Sequence, residues 1–149
     1  MSESMPSHWR PSTPPVAADV LIELTDRPGR PIVLIERRYP PLGFAIPGGF
    51  VEIGESVEQA AIREAHEETS LVVRLTRLLG VYSDPARDPR GHTVGIVYVG
   101  EAAGEPRALD DAKSLVIIDP RDPPPLVFDH ARIVADYCRQ RFGNERTIA

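Results

Sequence analysis

The sequence predicts an α/β fold, a mixed β-sheet with helices packed on both faces. Three observations predict it. About six runs of strand length, apolar or rich in β-branched residues, are separated by turn and loop segments. The first two runs flank a tight turn, as in a hairpin. One of two amphipathic helices falls in the middle of the strand order, which rules out a regular alternating βαβ chain. A length of 149 residues suits one domain with a core of its own. The expected organisation is a Pro/Ser-rich flexible tail over 1–15, one domain over 16–142, and a short tail over 143–149.

Each element has a local reason. Val16 to Leu24 is apolar apart from Asp19 and Glu23, and reads as a strand in which Asp19 is the awkward residue. Asp26 to Arg30 is a turn. Ile32 to Glu36 is a short buried strand. Phe44 to Ile46 leads through Pro47 to the paired glycines Gly48 and Gly49. Ser56 is an N-cap, and Gln59 three residues later completes a capping box, so a helix follows. On it Ile62, Ala65 and Thr69 are expected to form an apolar face. Leu71 to Ser83 is a long strand with a bend near Gly80; Thr93 to Val99 and Leu115 to Ile118 are further strands. Pro120 to Pro125 cannot be regular structure. Asp129 is the expected N-cap of a last helix, His130 to Phe142, whose face is Ile133, Val134, Tyr137 and Cys138.

Composition excludes several functions. The net charge of −5 does not favour DNA, RNA or an anionic membrane. A single cysteine, Cys138, permits no internal disulfide and suits a reducing cytoplasm. No window has the length and apolarity of a membrane span, and residues 1–15 lack the apolar core of a signal peptide.

The chemistry is concentrated between Gly48 and Leu71. At about 100° per residue, Glu64, Glu67 and Glu68 share one helical stripe. Three like charges there repel, and the helix dipole disfavours carboxylates near its C-terminus. A divalent cation relieves both penalties, since Mg²⁺ takes hard oxygen ligands from one or two carboxylates and completes its shell with substrate phosphates. Arg63, four residues before Glu67, can pair with it and hold its rotamer.

The spacing is more specific than the clustering. From Gly49 the chain runs five residues to Glu55, seven more to Arg63-Glu64, then a small residue and one other to Glu67-Glu68. This resembles the Nudix signature, with Ser70 where the family usually has glycine. The resemblance covers roughly residues 16–140. It implies an α/β/α sandwich and metal-dependent hydrolysis of a nucleoside diphosphate linked to another group. By the same resemblance, Glu64, Glu67, Glu68 and the Gly48 carbonyl hold Mg²⁺ or Mn²⁺, Arg63 orients them, and Glu55 supports from outside the ligand set.

Tyr82 to Val99, Pro85 in particular, and Leu126 to His130 are similar to segments of the ADP-ribose pyrophosphatase subgroup. The expected reaction is therefore ADP-ribose to AMP and ribose 5-phosphate. Two alternatives stand: a MutT-like pyrophosphatase acting on an (oxidised) nucleoside triphosphate, and a non-catalytic nucleotide-sensing Nudix module. The intact set of acids favours catalysis. Arg37, Arg38, Arg87 and Arg90 are expected to bind phosphate, for which guanidinium groups are the right type. Phe44, with Tyr39 beside it, is expected to stack on a base. Asp110 and Asp111 are candidates for a loop acid that positions water, and His130 is expected to bond locally. The resemblance also allows a homodimer that exchanges the Pro-rich arm.

Overall fold

A computed structural model describes residues 11–109 and 112–143. The strands are β1 (Val16–Leu24), β2 (Ile32–Arg37), β3 (Phe44–Ala45), β4 (Gly48–Phe50), β5 (Arg74–Tyr82), β6 (Val94–Ala102) and β7 (Ala112–Ile118). The helices are α1 (Val57–Thr69), between β4 and β5, and α2 (His130–Phe142) at the end. Seven strands stand where about six are expected, and the very short β3 and β4 are not among the expected runs. A two-residue and a three-residue segment carry no periodic signal.

All seven strands form one sheet, with the path β3-β2-β1-β6-β5; β4 joins β1 and β7 joins β2. The sheet is mixed: β1 runs parallel to β6 along its full length and antiparallel to β2 and β4. β4 pairs with Ala17 to Asp19, whereas β2 pairs with Ile22 and Glu23. The neighbour of β1 therefore changes part-way along it, and a cleft opens at that change.

Strict alternation along β1 builds the sandwich. Ala18, Val20, Ile22 and Leu24 pack with Ala60, Ala61 and Ala65 of α1 in one core. Leu21 points the other way, into a second core with Ile133, Val134, Tyr137 and Cys138 of α2. One helix thus covers each face. On α1 the buried stripe is Ala60, Ala61, Ala65, Glu68 and Thr69. Ile62, expected on the apolar face, lies exposed. The helix seats its small residues on the sheet, because alanines let its axis come close.

α1 starts as expected. Ser56 Oγ accepts from Gln59 N at 3.1 Å, and Gln59 Oε1 accepts from Ser56 N at 2.8 Å. It ends at Ser70, which takes the left-handed conformation (φ 63°) that glycine would take without cost. α2 starts differently from expectation: Asp129 makes no side-chain capping bond. Its carboxylate is taken by Arg87, which lies 42 residues earlier in the chain. The bend expected in β5 is present as register shifts between Leu75 and Arg77 and between Leu78 and Gly80.

Candidate functional site

A cleft of about 220 Å³ lies where β1 changes neighbour, lined from β1, β2, β3, β4, α1, the start of α2 and the loops after β2, after β5 and before α2. Its acids are Asp19, Glu64, Glu68 and Asp88; its cations are Arg37, Arg38, Arg87 and Arg90; its aromatic residues are Tyr39, Phe50 and Phe128.

The two glycines are required by space. A Cβ on Gly48 would fall 1.8 Å from Asp19 Oδ1, and one on Gly49 would fall 2.4 Å from the carboxyl carbon of Glu64. Two carboxylates therefore press against β4, one from β1 and one from α1. Gly48 N–H donates to Glu68 Oε1 at 2.7 Å, which orients the third.

Arg63 braces this group from outside. It donates to both oxygens of Glu55, at 3.0 and 2.6 Å, to Glu64 Oε1 at 2.8 Å and to Phe50 O at 3.2 Å. The pairing with Glu67 expected from the spacing is present, but at 3.3 Å it is the longest of its carboxylate hydrogen bonds. Hydrogen bonding from Arg63 holds the Glu55 carboxyl down at about 2, so Glu55 stays ionised as its counter-ion. Glu67 is half-buried beside Arg63 and does not line the cleft.

Asp19 and His130 form a buried pair in the cleft, with Asp19 Oδ2 3.7 Å from His130 Nε2. His130 Nδ1 accepts from Ile46 N at 3.0 Å, so its bond is to a residue 84 positions away, not the local one expected. That bond puts the proton of the neutral ring on Nε2, facing Asp19. Burial drives His130 down to about 3. It drives Asp19 up to about 7, with Arg87 opposing and Asp129 and Glu64 adding to the rise.

The arginines divide into two kinds. Arg87, expected to bind phosphate from a loop, is instead buried. Its guanidinium is held on two sides by Asp129 (2.9 and 2.8 Å) and by Thr93 Oγ1 at 3.0 Å. Buried, with Nε, Nη1 and Nη2 all bonded within the protein, it pins the loop after β5 to the start of α2. Arg37 and Arg90 stand over the ring of Phe128, at 5.1 and 5.2 Å. Arg38 is exposed at the mouth. Phe44 does not line the cleft; its backbone pairs with β2 and Leu126. Asp110 and Asp111 lie outside the described residues. The loop before them is tied to α1 through Arg107 N to Thr69 O and Leu109 N to Glu68 O.

Among the described residues no three Asp, Glu, His or Cys side chains form a metal-holding group. The donor set nonetheless fits a hard cation. Glu64 and Glu68 reach one cleft, Glu64 where a side chain on Gly49 would have been, and one or two carboxylates are what Mg²⁺ requires of a protein when phosphates supply the rest.

Residues 13–137 match the family model described as the NUDIX domain. The chain belongs to the Nudix family. Among its relatives is an ADP-ribose pyrophosphatase of Methanocaldococcus jannaschii, 47% identical over 133 residues, which cover 87% of this chain and 76% of that protein. The Nudix domain of Shewanella oneidensis NrtR, solved with ADP ribose, superposes with a TM-score of 0.77 over 91% of this chain and 95% of that one. At 23% identity, that likeness speaks for the Nudix fold alone. A bifunctional NMN adenylyltransferase/ADP ribose pyrophosphatase of Francisella tularensis, solved with AMP and a Mn ion, is 27% identical with a TM-score of 0.70. The match covers 86% of this Nudix chain and 42% of that larger protein. The acidic stripe of α1 is legible from helical spacing. Asp19, Phe128 and His130 are not assigned to the site by sequence, although a lone aspartate in an apolar strand is a signal for the first.

Proposed function

We propose that this chain hydrolyses the pyrophosphate bond of a nucleoside diphosphate linked to a second group, and that ADP-ribose, cleaved to AMP and ribose 5-phosphate, is its substrate. The observation that carries the substrate is the 47% identity with an ADP-ribose pyrophosphatase over most of both chains. The cleft supports the reaction type, because it combines oxygen donors on α1 with arginines suited to a diphosphate.

Glu64, Glu68 and the Gly48 carbonyl are the proposed ligands of Mg²⁺ or Mn²⁺, with Glu67 as the outermost acid of the set. When bound, the cation supplies charge neutralisation on the diphosphate and a lowered pKa for the attacking water. The remaining work belongs to the chain. Arg63, neutralised by Glu55, fixes the rotamer of Glu64. The Gly48 amide fixes Glu68. Arg37, Arg38 and Arg90 bind the phosphates, and water meets one phosphorus in line with the bridging oxygen. The bond to that oxygen breaks, and the proton lost by water leaves through the carboxylates of the cleft.

The test is a substrate panel with Mg²⁺, repeated in excess chelator. ADP-ribose, NADH, diadenosine polyphosphates and nucleoside triphosphates, 8-oxo-dGTP included, are compared by kcat/KM. ADP-ribose is expected to lead, and chelation to abolish turnover. A triphosphate preferred by about tenfold, a difference of about 1.4 kcal/mol in transition-state binding, transfers the assignment to triphosphate hydrolysis.

A further inference from the structure

Phe128 has a backbone conformation that an aromatic residue rarely adopts. Its φ is +57°, in the left-handed region that favours glycine and asparagine. Bulky residues held there against their preference concentrate at functional sites. The ring that this conformation delivers lines the cleft. It packs on His130 at 5.1 Å between centroids, and it receives two guanidinium groups, Arg37 at 5.1 Å and Arg90 at 5.2 Å. Arg90 is also over the ring of Phe50, at 5.6 Å. Phenyl rings and guanidinium groups thus alternate from Phe50 through Arg90 and Phe128 to Arg37.

Each arginine is held a second time. Buried Asp88 takes the Nε and Nη2 edge of Arg90, at 3.1 and 2.8 Å, and also its backbone N–H at 2.9 Å. No protein acceptor among the described residues takes the Nη1 hydrogens of Arg90. Arg37 Nε donates to Pro41 O at 2.8 Å. Arginine normally loses much rotamer freedom when it grips a ligand. Here the rings and these bonds have already removed it. Phe128 itself offers no hydrogen bond to a substrate, so its strained placement makes sense through the two cations it carries.

We propose that Phe128 is a positioning residue that presets Arg37 and Arg90 as a paired anion site for the two phosphates of the substrate. The substrate class, a diphosphate, rests on the reading given under Proposed function. The role of Phe128 as the holder of the pair does not need turnover to be measured.

Two substitutions separate positioning from packing. Phe128→Asn removes the ring but tolerates the left-handed backbone. Phe128→Leu removes the ring and keeps the strain. Calorimetric titration of each protein with inorganic pyrophosphate in Mg²⁺ reads the anion site directly. Both variants are expected to bind pyrophosphate about tenfold more weakly than the unsubstituted chain, because neither side chain offers a π-face to the two guanidinium groups. Phe128→Asn is expected to melt at the same temperature or higher, Phe128→Leu lower. With ADP-ribose, the loss is expected in KM rather than in kcat. The proposal is overturned if pyrophosphate affinity is unchanged in Phe128→Asn, if the unsubstituted chain binds no pyrophosphate, or if Phe128→Asn loses as much thermal stability as Phe128→Leu. Absence of ADP-ribose turnover in the unsubstituted chain would sink the substrate assignment instead, and the titration would still decide the role of Phe128.

Discussion

Among Glu64, Glu67 and Glu68 on α1, Glu68 is the most constrained. It is buried, its Oε1 accepts from Gly48 N–H, and its own carbonyl accepts from Leu109 N–H. A buried carboxylate normally costs stability unless bonds or a cation compensate it. The amide bond from Gly48 can be kept by glutamine, whose carbonyl oxygen accepts equally well; the charge cannot. Glu68→Gln is therefore expected to leave the melting temperature near its original value and to lower kcat with ADP-ribose by about 10²–10³, the range for removing one charge-stabilising group. Parallel thermal melts and steady-state kinetics check it, and turnover within a few-fold of the unsubstituted chain would remove Glu68 from the chemistry. Gly49 carries the complementary constraint. Its hydrogen leaves the space that the Glu64 carboxylate fills, so a glycine pair that looks like a flexible turn in sequence is a close-approach device.

At the scale of elements, α1 is well capped at one end and strained at the other. The capping box closes its first turn. At its last turn Thr69 Oγ1 donates to Ala65 O at 2.6 Å and accepts from Leu71 N at 3.2 Å, which satisfies backbone groups around the exit. Ser70 N still donates to His66 O at 2.9 Å, but with φ at 63°. Serine carries a steric cost there that glycine avoids, partly offset by the larger entropy glycine loses on folding. Ser70→Gly is expected to stabilise by about 1 kcal/mol, raising the melting temperature by roughly 2–4 °C, with no change in kcat. A lower melting temperature would mean that the Ser70 side chain makes interactions stronger than the strain. The contrast with α2 explains what the sequence made legible. Ser56 and Gln59 sit three residues apart and satisfy each other, so a local pattern suffices. Asp129 carries the same cap signal, but Arg87 outcompetes the helix amides for its carboxylate. Competition from a distant charge leaves no trace in local spacing.

At the scale of the molecule, the same distinction holds for the site. The acids of α1 share one helix, and periodicity places them together. Asp19 comes from β1, where it lies against β4, and Phe128 and His130 come from the entry to α2, so tertiary packing and not local spacing brings the three to one cleft. That packing also creates two titrations of opposite sign. Asp19, faced by His130, Glu64, Arg37, Arg87 and Asp129, rises from 3.8 to about 7, so the folded chain holds its proton more tightly than the unfolded one. Its contribution to stability is full below pH 3.8 and is lost as pH rises through about 7. His130, faced by Asp19, Asp129, Arg87, Arg37 and Asp88, falls from 6.5 to about 3. The unfolded chain then binds the extra proton, so this contribution is full above pH 6.5 and is lost as pH falls toward 3. Glu55, lowered from 4.5 to about 2, adds its own slope only below pH 4.5. Between pH 4.5 and 6.5 the slopes of Asp19 and His130 therefore oppose each other, and metal-free protein is expected to show nearly flat stability. Asp19→Asn leaves the histidine slope alone, so its urea midpoint is expected to climb with pH across that window. His130→Gln, whose carbonyl can still accept from Ile46 N–H, leaves the aspartate slope, so its midpoint is expected to fall. Urea titrations of the three proteins at about pH 4.5, 5.5 and 6.5 in chelator decide the matter. Parallel curves for the two variants would show that Asp19 and His130 do not hold opposed protonation states beneath the cleft.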